Sequence, residues 1–208
     1  MARAKRGRAT KPLDDVFLNI PYDPAFEHLY LAYFAGISGF GLVPHATLEI
    51  PGSERRLDRI LALLKKCSYS LYDLSRVQLD GHSPSTPRFN MPFELGLAVA
   101  WDKVGPKRHH WFVFETMQRR ASKSLSDLGG TEVYIHSGSV SGVFRELCNA
   151  FVRQGRQPTV PPMWRVYRDL RRNLPSVMGR AGAANPFQAR VFRDISVVAK
   201  RSAESHVP

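Results

Sequence analysis

Cysteine is close to absent from this chain: Cys67 and Cys148 are the only two in 208 residues, and neither has a C-x-x-C partner or a Cys/His ligand spacing around it. That excludes a disulfide framework and a zinc motif, and it fits a reducing, intracellular setting. Long apolar runs are missing as well. The longest, residues 29–43, is broken by three glycines and is shorter than the ~20 residues a membrane span needs. Arg3, Lys5, Arg6 and Arg8 have the charge of a signal-peptide n-region, yet no apolar h-region comes after them. These absences predict a soluble, cytoplasmic protein with no membrane partner.

Acidic residues are scarce at the two ends only. Residues 1–11 hold five basic and no acidic residues and residues 153–208 hold eleven basic and three acidic, whereas residues 12–152 hold fourteen and fifteen. The net charge of +12 therefore belongs to the termini, and the body is nearly neutral. With 43% hydrophobic residues the chain can bury one ordinary core. Three parts are expected: a basic arm over residues 1–13, a globular domain over 14–153 and a Pro-linked basic helical extension over 154–208.

Val16-Phe17-Leu18-Asn19-Ile20, closed by Pro21, reads as a buried strand. Residues 26–40 read as a helix, with Phe26, Leu29, Tyr30, Tyr33, Phe34 and Ile37 at helical spacing. Residues 42–48 give a second strand, which Pro44 confines to a sheet edge because it removes a ladder donor. An amphipathic helix over 55–65 follows, then a strand over 68–73, a helix over 90–101, strands over 110–115 and 132–136, and a helix over 140–152. Five strands alternating with helices predict an α/β fold, a flavodoxin-like doubly wound five-stranded parallel sheet. Beyond it, Gln157-Pro158-Thr159-Val160-Pro161-Pro162 reads as a stiff extended connector. Residues 163–174 and 186–201 then form two amphipathic helices of a C-terminal extension, split by the Gly/Ala-rich stretch 179–184. Their many arginines most simply form a solvated face.

In such a sheet ligands lie outside the carboxyl ends of the strands. Asn19, Tyr22 and Asp23, then Glu49, then Asp73, Ser75 and Arg76, then Glu115 and Thr116 occupy those ends, and Asn90 and Glu94 join them from the following helix. One polar rim is the expectation. Glu94 stands out as a carboxylate in the first turn of an otherwise apolar helix, because burying a charge is unfavourable unless it is paired or used. Cleavage of an N-glycosidic bond builds positive charge on the ribosyl carbon, which a carboxylate stabilises or captures.

The stretches Tyr69-Ser70-Leu71-Tyr72-Asp73-Leu74-Ser75-Arg76 and Arg88-Phe89-Asn90-Met91-Pro92-Phe93-Glu94-Leu95-Gly96-Leu97-Ala98 resemble the TIR-like (Toll/interleukin receptor-like) nucleotide-binding proteins of bacteria and the nucleoside 2-deoxyribosyltransferases. The resemblance covers roughly residues 14–152. It implies the flavodoxin-like fold, a Glu94 that works at the glycosidic carbon of a nucleoside or of nicotinamide adenine dinucleotide (NAD), and no separate cofactor. Asp73 and Asn90 would hold ribose hydroxyls, Tyr22 would stack on the base beside Asp23 and Ser75, and Arg76 or Arg88 would face phosphates. Service in bacterial antiviral defence as a homo-oligomer is implied as well. Deoxyribosyltransferases carry an acidic residue in an Asp-Ser-Gly-Thr-like stretch just before the glutamate, where this chain has Pro87-Arg88-Phe89-Asn90. That departure favours hydrolysis or binding of a phosphorylated dinucleotide over transfer between bases.

The same residues also have plainer roles. Glu94 suits the helix dipole or an ion pair with Arg88 or Arg76, Asn90 suits an N-cap, Asp73 an Asx-turn, and Tyr22 and Asp23 a turn after Pro21. Gly36-x-x-Gly39-x-Gly41 ends a helix and so is no dinucleotide fingerprint. His109 and His110 lack a third ligand and read as surface histidines, so no metal is expected. Residues 124–130 are a loop over the cleft or a short capped turn. Two further functions stay open: a nucleotide-sensing module without turnover, and nucleic-acid or protein contact through Arg3, Lys5, Arg6, Arg8 and the cluster from Arg165 to Arg172.

Overall fold

A computed structural model describes residues 15–50, 53–77, 83–152 and 159–206; the basic arm and the start of the connector lie outside them. Five parallel strands, β1 (Asp15–Asn19), β2 (Val43–His45), β3 (Tyr69–Asp73), β4 (His110–Glu115) and β5 (Val133–Ile135), lie in the order β2-β1-β3-β4-β5. This is the flavodoxin-like arrangement, and its order reverses between β1 and β3. Pro44 sits in the edge strand, opposite Val16. There its missing N–H leaves no gap in a ladder.

Strand alternation sends successive side chains to opposite faces. Val16 and Leu18 of β1, Leu71 of β3 and Phe114 of β4 pack against α1 (Glu27–Gly39) and α5 (Val140–Ala150), whereas Phe17, Tyr72 and Val113 pack against α2 (Arg56–Lys66) and α3 (Asn90–Val104). A short helix, α4 (Arg120–Ser124), follows β4, and a 3₁₀ turn over Ser126–Leu128 continues it. Residues 124–130 are thus built from helical turns, in line with the capped-turn reading.

Helix α1 is buried on every side from Leu29 to Gly39. A helix apolar all round needs cover beyond a single sheet, and α6 (Val160–Ala181) and α7 (Ala189–His206) supply it. Met163, Val166, Leu170 and Val177 of α6 and Val191, Phe192, Ile195 and Ala199 of α7 belong to the same core as α1. The C-terminal helices therefore share the core of the sheet domain. The close fit appears at two glycines: a Cβ on Gly36 would run into Leu147, and one on Gly39 would meet Met163.

Two expectations are corrected here. Val160-Pro161-Pro162 is the first turn of α6, not extended connector, because prolines fit where helical N–H groups have no acceptor. And α6 does not stop near Leu174: it continues through Pro175 to Ala181 and ends at Gly182, whose φ of +62° forms a left-handed cap. Pro175 and Arg171 both lie on the exposed side, where water replaces the hydrogen bond that Pro175 cannot make. The exposed Arg165, Arg168, Arg171 and Arg172 share that outer surface.

Candidate functional site

Glu94 is the fifth residue of α3, past its first turn, so the dipole argument for it falls away. Met91, Glu94, Leu95 and Ala98 form the buried stripe of that helix, and helical period turns the carboxylate inward to 2% exposure. Both of its oxygens are engaged. Oε2 accepts a short hydrogen bond from Asn19 Nδ2 at the carboxyl end of β1, and Oε1 accepts from Arg56 Nε at 3.1 Å. The arginine partner is thus Arg56, the first residue of α2, and not Arg88 or Arg76 as the sequence suggested. Arg56 itself is half exposed, at 50% for the side chain.

Tyr22 borders this carboxylate. Burial pushes its phenol up, Arg56 opposes that, and the charges of Glu94 and Glu49 add to it. Its ring packs on Tyr30 and Phe187, at 6.2 and 6.0 Å between centroids, so its packing partners are protein rings. Tyr72 lies on the same side, its phenol raised by burial with Glu94 adding to the effect. Asn19 pairs with Tyr72 in register, which places both on the α2/α3 face.

Asp73 follows Tyr72 and therefore points to the other face. It is fully buried, receives the Tyr33 hydroxyl at 2.7 Å and lies 3.1 Å from His136 Nε2. Its second oxygen accepts from the Ser75 N–H at 2.9 Å, the Asx-turn anticipated from sequence. The expected single rim is thus two clusters, one on each side of the sheet, and Asp73 is sealed away from any ribose. His136 closes this second cluster. Its Nδ1 accepts from the Gly138 N–H at 3.1 Å, which assigns the ring proton to Nε2, shared between Asp73 and Ser75 Oγ, the latter also at 3.1 Å. Ser75 and Asp73 meet the same nitrogen, so the trio is not a nucleophile relay, which needs the acid and the hydroxyl on opposite ring nitrogens.

Above this cluster a cleft of about 240 Å³ opens at the carboxyl ends of the strands, lined by Phe26, His28, Ser75, Arg76, Thr116 and Arg120 among others. Arg76 pairs with Asp23 at 3.4 Å, and Asp23 also accepts from the Phe26 N–H as a turn cap. Arg120 binds the buried Glu115 through two nitrogens and donates to the Ser75 carbonyl at 3.0 Å. Both cleft arginines thus have carboxylate partners. Asn90 is exposed at the start of α3 and is its first residue; Phe89 takes the cap position, so the N-cap reading is corrected.

Of the expected residues, Tyr22 borders Glu94 while its ring packs into the α1/α6/α7 core, and Asp23, Ser75 and Arg76 gather at the cleft above buried Asp73. Arg56 and His136 carry the geometry without having been singled out. Nothing local marks Arg56, which meets Glu94 across two helices, while His136 was visible as the polar end of a strand. His109 proves buried, bonded to Ser70 Oγ at 2.8 Å and to the Cys67 carbonyl at 3.1 Å, in place of the surface histidine expected. No protein-family model, curated protein or solved structure matches the chain. The fold assignment accordingly rests on topology, and the site on geometry.

Proposed function

We propose that the protein is a nucleotide N-glycosidase of the TIR-like and deoxyribosyltransferase-like kind, with Glu94 the carboxylate at the glycosidic carbon and NAD or a related nucleotide as substrate. What supports the reading is one observation: a carboxylate at 2% exposure beside the β1–β3 crossover point, oriented by Asn19 through one oxygen and held by a half-exposed cation through the other. In the reaction the C1′–N bond breaks, its electron pair leaves with the base, and the carboxylate stabilises or traps the electron-poor ribosyl carbon. Water then adds its oxygen to C1′ and releases a proton. Ser75, Thr116 and the exposed part of Arg76 line the cleft at the carboxyl ends of the strands, where they offer hydrogen bonds to the rest of a nucleotide that reaches across those ends from Glu94. A role in bacterial antiviral defence and activation by homo-oligomer assembly follow from the same resemblance. The test is release of nicotinamide from NAD by the purified protein. Glu94→Gln is expected to lower it at least about a hundredfold, and equal release by both proteins removes Glu94 from the chemistry.

Closure of Glu94 by Arg56 favours a second reading, a nucleotide sensor without turnover. Calorimetric binding with no product on long incubation would select it. The exposed arginines of α6 support nucleic-acid contact as a side function, read out by an affinity that falls steeply with salt.

A further inference from the structure

The contact that closes Glu94 is chemically lopsided. Arg56 uses Nε alone to hold Oε1 at 3.1 Å. Its two terminal nitrogens make no hydrogen bond among the described residues, and the side chain is half exposed at 50% while that of Glu94 is 3% exposed. A guanidinium engaged through its inner nitrogen presents its two-pronged outer edge to solvent, the edge that matches a phosphate bidentately. Asn19, by contrast, grips the other oxygen, Oε2.

We infer that Arg56 is a latch released by the substrate's own phosphate, so that the site takes a phosphorylated nucleotide in preference to a free nucleoside. The doubly charged phosphate outcompetes a single carboxylate oxygen for the guanidinium, and Arg56 swings toward it on its flexible stem. Oε1 is then uncovered while Asn19 keeps the carboxylate aimed through Oε2. Oε1 is the reacting oxygen. A nucleoside without phosphate leaves the latch shut, and the carboxylate is screened from water until the right ligand arrives. What the freed Glu94 then does rests on the glycosidase reading above; the phosphate exchange at Arg56 does not.

The experiment compares nicotinamide mononucleotide with nicotinamide riboside, which differ by one phosphate, on the wild-type protein, Arg56→Ala and Arg56→Lys, by calorimetric binding and by nicotinamide release. Wild type is expected to favour the mononucleotide by about tenfold or more in affinity and in kcat/KM. In Arg56→Ala, mononucleotide binding weakens, riboside cleavage rises, and the preference collapses toward unity. Arg56→Lys, which keeps the charge but loses the fork, falls between. A preference unchanged in Arg56→Ala, with binding intact, overturns the latch whether or not nicotinamide is released. Binding that follows the expected pattern with no release from any protein overturns the glycosidase reading and leaves the latch standing. Binding of neither ligand overturns both.

Discussion

The two faces of the sheet are covered to different depths. On the α1/α5 face a second layer, α6 and α7, lies over the first, and the acid on that side, Asp73, is enclosed at 0% exposure by Tyr33, His136 and the Ser75 backbone. On the α2/α3 face there is one helical layer, and one of its buried acids, Glu94, is closed by an arginine that stands half in solvent. Both carboxylates are buried, yet only Glu94 has a partner that stands half in solvent. Burial alone therefore does not tell the two acids apart; the exposure of the neutralising group does.

The largest test removes the deep cover. A chain ending at residue 152 leaves the outer side of α1 bare, and it is expected to aggregate or to lose its cooperative unfolding transition in calorimetry. A soluble truncated protein melting like the full chain would mean that the two faces are equivalent after all. Next in size is Asp73→Ala, which strands the Tyr33 hydroxyl and the Ser75 N–H without an acceptor and leaves His136 Nε2 with Ser75 Oγ alone; a loss of about 3–5 kcal/mol in urea unfolding is expected. Glu94→Gln keeps one acceptor, which serves the buried Asn19 and leaves the half-exposed Arg56 to solvent; it is expected to change stability by about 1–2 kcal/mol while lowering activity at least about a hundredfold. Reversal of that pattern, with Asp73 dispensable for folding and Glu94 essential for it, would invert the assignment of the two faces. Smaller again is Gly142→Ala. Its new methyl group would run into the His136 carbonyl, so about 1–3 kcal/mol of destabilisation is expected, against the usual preference of a helix for alanine.

Much of this contrast was written in the sequence at short range. Strand phase sends Asp73 the way of Leu71 and against Tyr72, and Pro44 marks the edge strand. The run from Leu29 to Ile37 has no polar side, which demands more cover than five strands and one helix provide. What was not legible is long range. Nothing in the spacing of Arg56 and Glu94, 38 residues apart, says that α2 and α3 bring them together. Pro161 and Pro162 misled because an extended segment and a helix start accept the same φ, and only the docking of Met163 and Val166 on the core decides between them.

The smallest effect concerns pH, and it should arise on the thinly covered face. His45 pairs in register with Phe17, whose side chain faces α2 and α3, and it is held between Glu49, at 3.0 Å from Nδ1, and Asp15, at 3.0 Å from Nε2. Burial works against its charge and Lys66 opposes it too, but the bonds and charges of Glu49 and Asp15 outweigh both, and the ring is raised above its ordinary value. A raised folded value means that the protonated ring stabilises the fold fully below the unfolded pKa of about 6.5 and ceases to do so as pH rises through the folded value. The wild-type denaturation midpoint should therefore fall, relative to His45→Gln, between about pH 5.5 and a pH well above the folded value. The loss should leave the Asp73 cluster untouched, since amide exchange of the Ser75 and Gly138 N–H groups, which bond Asp73 and His136, would stay protected across the same range. Parallel loosening of those two amides would show that the edge strand and the sealed network titrate as one unit.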